Sequence, residues 1–164
     1  MFASRVLRST KMVVGISIKD IVGAKEAMRK AISMAQPADK IVALHIPSIV
    51  PEMMLSSMSD PSDASDDAFA ALSNLPTKAG LAMQEEIKDA ANDQMKSLGK
   101  QVSIQYKVEA PTGDVKSSLL AVSKAEGANL LFIGPGLHGN GSIPAYLAQQ
   151  AKGLTVCVVR DHLE

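Results

Sequence analysis

Five short apolar runs, separated by stretches of helical periodicity, constrain this chain more than any other feature. "MVVGIS" (12–17), "KIVALHIP" (40–47), "QVSIQYKVEA" (101–110), "NLLFI" (129–133) and "LTVCVVR" (154–160) have the length of buried strands and stop at turn residues or charges. The continuous apolar character of the second suits a sheet covered on both faces. The third alternates Val102, Ile104, Tyr106 and Val108, which predicts a half-covered strand near a sheet edge. After the first run, Ala24, Ala27, Met28, Ala31, Ile32 and Ala35 recur at three- and four-residue steps, one apolar face of a helix. Asp20 is placed to cap that helix and Pro37 to stop it. A second helix is predicted from about Leu81 to Leu98, with Met83, Ile87, Ala90, Ala91 and Leu98 on one side and Gly99 ending it. "PTGD" turns into a third, from about Asp114 to Glu126, with Val115, Leu119 and Val122 inward and Gly127 as its stop. A short fourth helix is expected around Ala145–Ala151.

Strands alternating with helices in this way predict an α/β fold, a parallel sheet with helices on both faces forming a three-layer open sandwich. Residues 12–164 read as a single domain with no internal repeat. The pattern dissolves only between Pro51 and Pro76, where "SDPSDASDD" (59–67) predicts a solvated, flexible Ser/Asp-rich insertion. Met53, Met54, Leu55 and Met58 on its near side either close the sheet edge or cover something apolar.

Composition narrows the function classes. A chain of 164 residues can bury roughly 70% of the surface exposed by its unfolded form. With aromatics at 3%, the core must come from Ala, Val, Ile, Leu and the nine methionines. The formal net charge is zero, which argues against nucleic acid as a partner. No apolar stretch has the length needed to cross a bilayer, so a membrane is not expected either. The lone Cys157 excludes an internal disulfide framework and reads as a small buried apolar residue in a reducing compartment, with the cytoplasm expected. "MFASRVLRSTK" (1–11) carries Arg5, Arg8 and Lys11 with no acid before Asp20. That segment is either a plain basic tail or a mitochondrial or plastid targeting segment.

The stretch "LLFIGPGLHGNGSIPAYL" (131–148) carries the strongest chemical signal. Gly134, Gly136 and Gly139 match G-x-G-x-x-G after a strand and ahead of a helix, and Asp161 ends the following strand, where a dinucleotide fold places its ribose-binding acid. Against a dinucleotide stand Asn140, Gly141 and Pro144, which hold off the helix until about Ser142, and the position of the motif late in the chain. An anion remains favoured at a helix start, where free N–H groups and the helix dipole converge. Equally, Ser142 is placed simply to cap its own helix, with Pro144 in the first turn.

From Lys11 to Arg160 the arrangement resembles the universal stress protein family. "GDVKSSLLAVSKAEGANLLFIGPG" (113–136) is similar to the family's Gly-Asp turn, helix and fourth strand running into glycine. "LHIP" (44–47) resembles the Leu-His-Val that ends its second strand, and "GSIPAYLAQQAKGLTVCVVR" (141–160) its closing Gly-Ser, helix and Val-rich last strand. The resemblance implies a five-stranded parallel sheet in the order 3-2-1-4-5, of the adenine nucleotide alpha hydrolase-like kind, and a homodimer through the last strand, 154–160. It also implies an adenine nucleotide, ATP or AMP, at the crevice between strands 1 and 4. Ile16, Ser17, Ile46 and Ile133 would line the adenine and ribose side, and Gly134, Gly136, Gly139, Gly141 and Ser142 the phosphate side. Nucleotide-binding members carry Gly-x2-Gly-x9-Gly-(Ser/Thr) and an Asp ending strand one. Here Gly134, Gly141 and Ser142 match, Leu137 stands where the second glycine is expected, the loop is shorter, and position 17 is Ser.

A shorter loop offers fewer N–H groups to a triphosphate, though a mono- or diphosphate would still fit. Losing the Asp leaves Ser17 with at best a neutral hydrogen bond to a ribose hydroxyl. Asp20 and Asp114 are the carboxylates nearest in sequence to a magnesium role, but a helix cap and a turn residue need no ligand to explain them. Catalysis is not expected beyond weak nucleotide hydrolysis. His45, His138 and His162 are scattered, no His/Cys/Asp group has metal-ligand spacing, and "GNGSI" does not fit G-x-S-x-G. Two functions stay open: a nucleotide-binding regulator, and an empty-pocket family member acting as a dimeric stress-response module that meets protein partners.

Overall fold

The computed structural model describes residues 9–47, 78–135 and 142–160. The expected insertion at 51–76, most of the N-terminal tail, His138, Asp161 and His162 lie outside the described residues.

The five apolar runs form five strands: β1 Lys11–Ile16, β2 Lys40–His45, β3 Ser103–Val108, β4 Leu130–Ile133 and β5 Thr155–Val158. All pairings are parallel and the order is β3-β2-β1-β4-β5. Helices α1 Ile21–Met34, α2 Lys78–Leu98, α3 Val115–Ala125 and α4 Ser142–Gln150 connect them, and a single 3-10 turn, Ile18–Asp20, precedes α1. The expected three-layer α/β sandwich is therefore the observed architecture.

Alternate strand residues point to opposite faces, and the two halves of the core follow that period. Met12, Val14, Ile16, Ile41, Ala43 and Phe132 pack against α1 and α2, where Ala24, Ala27, Met28, Met83 and Ile87 meet them. Val13, Val42, Leu44, Leu131 and Ile133 face the other way, against Leu119 and Leu120 of α3 and Ile143 and Leu147 of α4. Each fully buried Leu, Ile or Phe side chain in these layers contributes about 1.5–3 kcal/mol. The small residues of α1 let that helix lie close to the sheet centre.

Helix ends follow the expected chemistry. Asp20 Oδ1 accepts from the Gly23 amide at 3.0 Å and opens α1. At its other end, Lys100 Nζ donates to the carbonyls of Ser33 at 2.8 Å and Ala35 at 3.1 Å. Gly99 and Gly127 stop α2 and α3 with φ of 61° and 71°, the left-handed conformation that favours glycine.

Three details differ from the sequence reading. Leu98, expected on the buried side of α2, is 43% exposed because it ends the helix, and Met95 packs against the core one turn earlier. Helix α4 extends ahead of the Ala145–Ala151 span and opens at Ser142, the start that Asn140, Gly141 and Pro144 implied, with Pro144 inside its first turn as expected, where a missing N–H costs nothing. Cys157 is half-buried, because β5 is an edge strand with one neighbour.

Candidate functional site

The strand order reverses between β1 and β4. The connection leaving β1 runs toward β2, that leaving β4 runs toward β5, and the two chains part at the carboxyl ends of neighbouring strands. Open α/β sheets bind ligands at such a point.

Of the residues expected here, Ile16, Ser17, Ile46, Ile133 and Gly134 are described with their side chains, and Ser142 by its place in the backbone. Gly136, Gly139 and Gly141 lie outside the described residues. Ile16 ends β1 on the α1/α2 face, whereas Ile46 and Ile133 belong to the α3/α4 face. All three are buried, so they form the floor of the crevice and present little surface to it.

Ser17 is half-buried and its Oγ accepts from the Lys19 amide at 3.2 Å. It thus caps the 3-10 turn that carries the chain from β1 into α1. The carbonyl of Ile16 accepts from His45 Nδ1 at 3.0 Å, which places the proton on Nδ1. Burial pushes the His45 imidazole below its usual pKa, partly offset by that bond, so the ring is neutral at neutral pH. The Ile133 carbonyl accepts from the Val159 amide at 2.8 Å, extending the β4–β5 ladder to the crevice edge.

Gly134 sits where β4 meets α1. A Cβ at this position would lie 2.5 Å from Asp20 Oδ2 and 2.8 Å from the backbone of Gly23. A Cβ on Gly23 would overlap the same carboxylate. Gly134 is therefore required by the close approach of the Gly23 backbone, whereas at Gly23 the obstructing atoms are the end of the Asp20 side chain. The sequence reading placed Asp20 as a helix cap; its contact with Gly134 depends on the strand order and had no signal in the chain.

Helix α4 begins on the other side of the switch point. Ile143 and Leu147, both buried, pin it to the α3/α4 face, and Lys116 of α3 lies 5.0 Å from the ring centre of Tyr146. As the crossover from β4 to the parallel β5, α4 has its amino end, the positive end of its dipole, at the carboxyl side of the sheet. Asp114 caps α3 through the Ser117 amide at 2.8 Å, and the bonds from Ser117 hold its carboxyl below the usual range. Among the described residues, no group of three His, Cys, Asp or Glu side chains has metal-binding geometry. No described helix is long and apolar enough to cross a membrane.

Comparison with solved structures returns the same architecture. The chain is similar to a universal stress protein in complex with cAMP, at 16% identity, covering 93% of this chain and 97% of that one, with a TM-score of 0.56. It is similar to a universal stress protein family protein from Arabidopsis thaliana with AMP bound, at 16% identity, 94% and 93% coverage and a TM-score of 0.57. A third, from the universal stress protein family of Burkholderia pseudomallei, shares 19% identity with 92% and 95% coverage and a TM-score of 0.54. No protein-family model and no curated protein matches the sequence.

Proposed function

We propose, from a chain with the fold of universal stress protein structures, that this protein is a small regulatory protein binding an adenine nucleotide at the crevice between β1 and β4. The observation that carries the reading is the switch point itself: β1 and β4 are paired neighbours whose connections leave in opposite directions, and α4 follows β4 along the chain, opening at Ser142. Two proteins of this fold hold cAMP and AMP. The 134–142 stretch carries four glycines, at 134, 136, 139 and 141, where backbone can approach an anion closely. Binding, with no chemistry beyond weak hydrolysis, is the role proposed.

The test is direct. Protein purified without added nucleotide is denatured, and the supernatant is analysed by ion exchange for AMP, ADP, ATP and NAD. Untreated protein is then titrated with each by calorimetry. A near-stoichiometric adenine mononucleotide, or saturable heat with one, supports the reading; NAD would favour a dinucleotide; neither ligand nor heat rejects it.

One observation favours the second reading, a dimeric interaction module with an empty crevice. At the strand-one end, the Ser17 hydroxyl and the Ile16 carbonyl are already engaged within the chain. On this reading the working surface is β5, an edge strand with Val158 40% exposed, paired with its own copy. Val158→Lys is expected to convert a homodimer to a monomer in light scattering without lowering the melting temperature. A wild-type protein that is monomeric at micromolar concentration would reject the dimer.

A further inference from the structure

The two strands that flank the crevice part before their ends. Pairing between β1 and β4 runs through Met12↔Leu130, Val13↔Leu131 and Val14↔Phe132 and then stops. Pairing between β1 and β2 continues through Gly15↔Leu44 to Ile16↔His45. The last two residues of β1 are thus paired from the β2 side alone, and Ile133, which a Cβ on Gly15 would meet at 3.1 Å, floors the gap. At this end a side chain adds its own tie, because His45 Nδ1 donates to the Ile16 carbonyl at 3.0 Å. We infer that His45 is a positioning residue for the ligand of this crevice, holding the last peptide of β1 against β2 and so fixing the wall that a ligand between β1 and β4 meets. The inference rests on the nucleotide-binding reading above and adds to it a residue that acts through Ile16 and Ser17.

His45 is 7% exposed, so its ring is set by packing. Its backbone is held from both sides: it pairs with Ile16 of β1 and Val108 of β3, and its carbonyl accepts from the Glu109 amide at 3.0 Å. Burial keeps the ring neutral at neutral pH, with its proton on Nδ1, so the tie is made without adding a charge to the crevice. One residue further on, Ser17 accepts from the Lys19 amide at 3.2 Å and turns the chain toward α1. The Ile16–Ser17 peptide is therefore fixed by the histidine on its carbonyl and by the turn that follows it. A wall ordered before the ligand arrives need not be ordered on binding, which is how a group without ligand contact raises affinity.

His45→Asn places an amide N–H where Nδ1 stands and keeps the bond, whereas His45→Phe keeps a planar ring and removes the donor. Both are compared with wild type and with Asp39→Ala, which removes two hydrogen bonds at the amino end of the sheet. Each protein is titrated with AMP and ATP by calorimetry at a temperature where circular dichroism shows it folded. Amide hydrogen exchange is followed in peptides that cover the end of β1.

The expected result is nucleotide binding to His45→Phe roughly threefold to tenfold weaker than to wild type, restored in His45→Asn and unchanged in Asp39→Ala. Exchange at the end of β1 speeds up in His45→Phe and in neither of the other two. If His45→Phe is unfolded at the assay temperature, His45→Leu, smaller and equally without a donor, carries the same expectation. Wild-type affinity in the folded donorless variant, equal weakening in Asp39→Ala, or no rescue by Asn overturns the inference and leaves nucleotide binding in place. No binding of either nucleotide by wild type removes the binding reading and this inference together.

Discussion

The two ends of the parallel sheet are held by different means. At the amino end, side chains reach across long stretches of sequence to tie strand starts together. Asp39, 7% exposed, accepts from the Thr10 amide at 2.7 Å and the Gln36 amide at 2.8 Å. Asn129 and Lys11 exchange two bonds, at 2.8 and 3.1 Å, and Glu126 receives Lys11 at 2.8 Å together with Lys107, which reaches back from the far part of β3, at 2.6 Å. At the carboxyl end the bonds of Ser17, Asp20 and Asp114 are local, each closing a turn two or three residues long. The long-range tie among these carboxyl-end side chains is His45 Nδ1, which donates to the Ile16 carbonyl at 3.0 Å and joins the ends of β2 and β1.

That contrast can be broken first at its tightest point. Gly134→Ala puts a Cβ 2.8 Å from the Gly23 backbone, and overpacking of this kind is expected to cost about 1–3 kcal/mol in chemical denaturation. Adding Asp20→Ala is expected not to restore the loss, since the obstructing Gly23 atoms are backbone; full rescue would show that the carboxylate alone makes the fit tight.

At the opposite end, Asp39→Ala strands two backbone amides and is expected to lower stability by about 2 kcal/mol, with no change in any nucleotide affinity measured by calorimetry. An equal loss of nucleotide binding would show that the two ends are not separable.

The smallest effect concerns acid. The hydrogen bonds from Lys107 and then Lys11 hold the Glu126 carboxyl below its usual range. Its contribution is therefore fully present above the unfolded-state pKa and is lost as pH falls through the lower folded-state value. Glu126→Gln is expected to cost about 1 kcal/mol or less near neutrality, because both lysines are partly exposed, and to flatten the acid limb of a stability–pH profile. An unchanged limb would assign acid sensitivity to other carboxylates.

Much of this was legible in the chain, for identifiable reasons. Strands and helices betray themselves through period and stop residues, so Asp20, Asp114, Gly99 and Gly127 were each assigned the local role they play. Ser17 was placed at the end of β1, but a hydroxyl that bonds a neighbouring amide looks the same in sequence as one that awaits a ligand. Leu98 was assigned to the apolar side of α2 because periodicity does not report where a helix outruns the sheet beneath it.

By itself the sequence determined the element types, the α/β class and the caps, because these depend on residues a few positions apart. The tertiary structure alone decided that Gly134 lies against Gly23 and the Asp20 carboxylate, that Ile16 faces one layer while Ile46 and Ile133 face the other, and that Glu126 joins lysines from two strands. Those relations come from strand order and register, which bring together groups far apart along the chain and which no local pattern encodes.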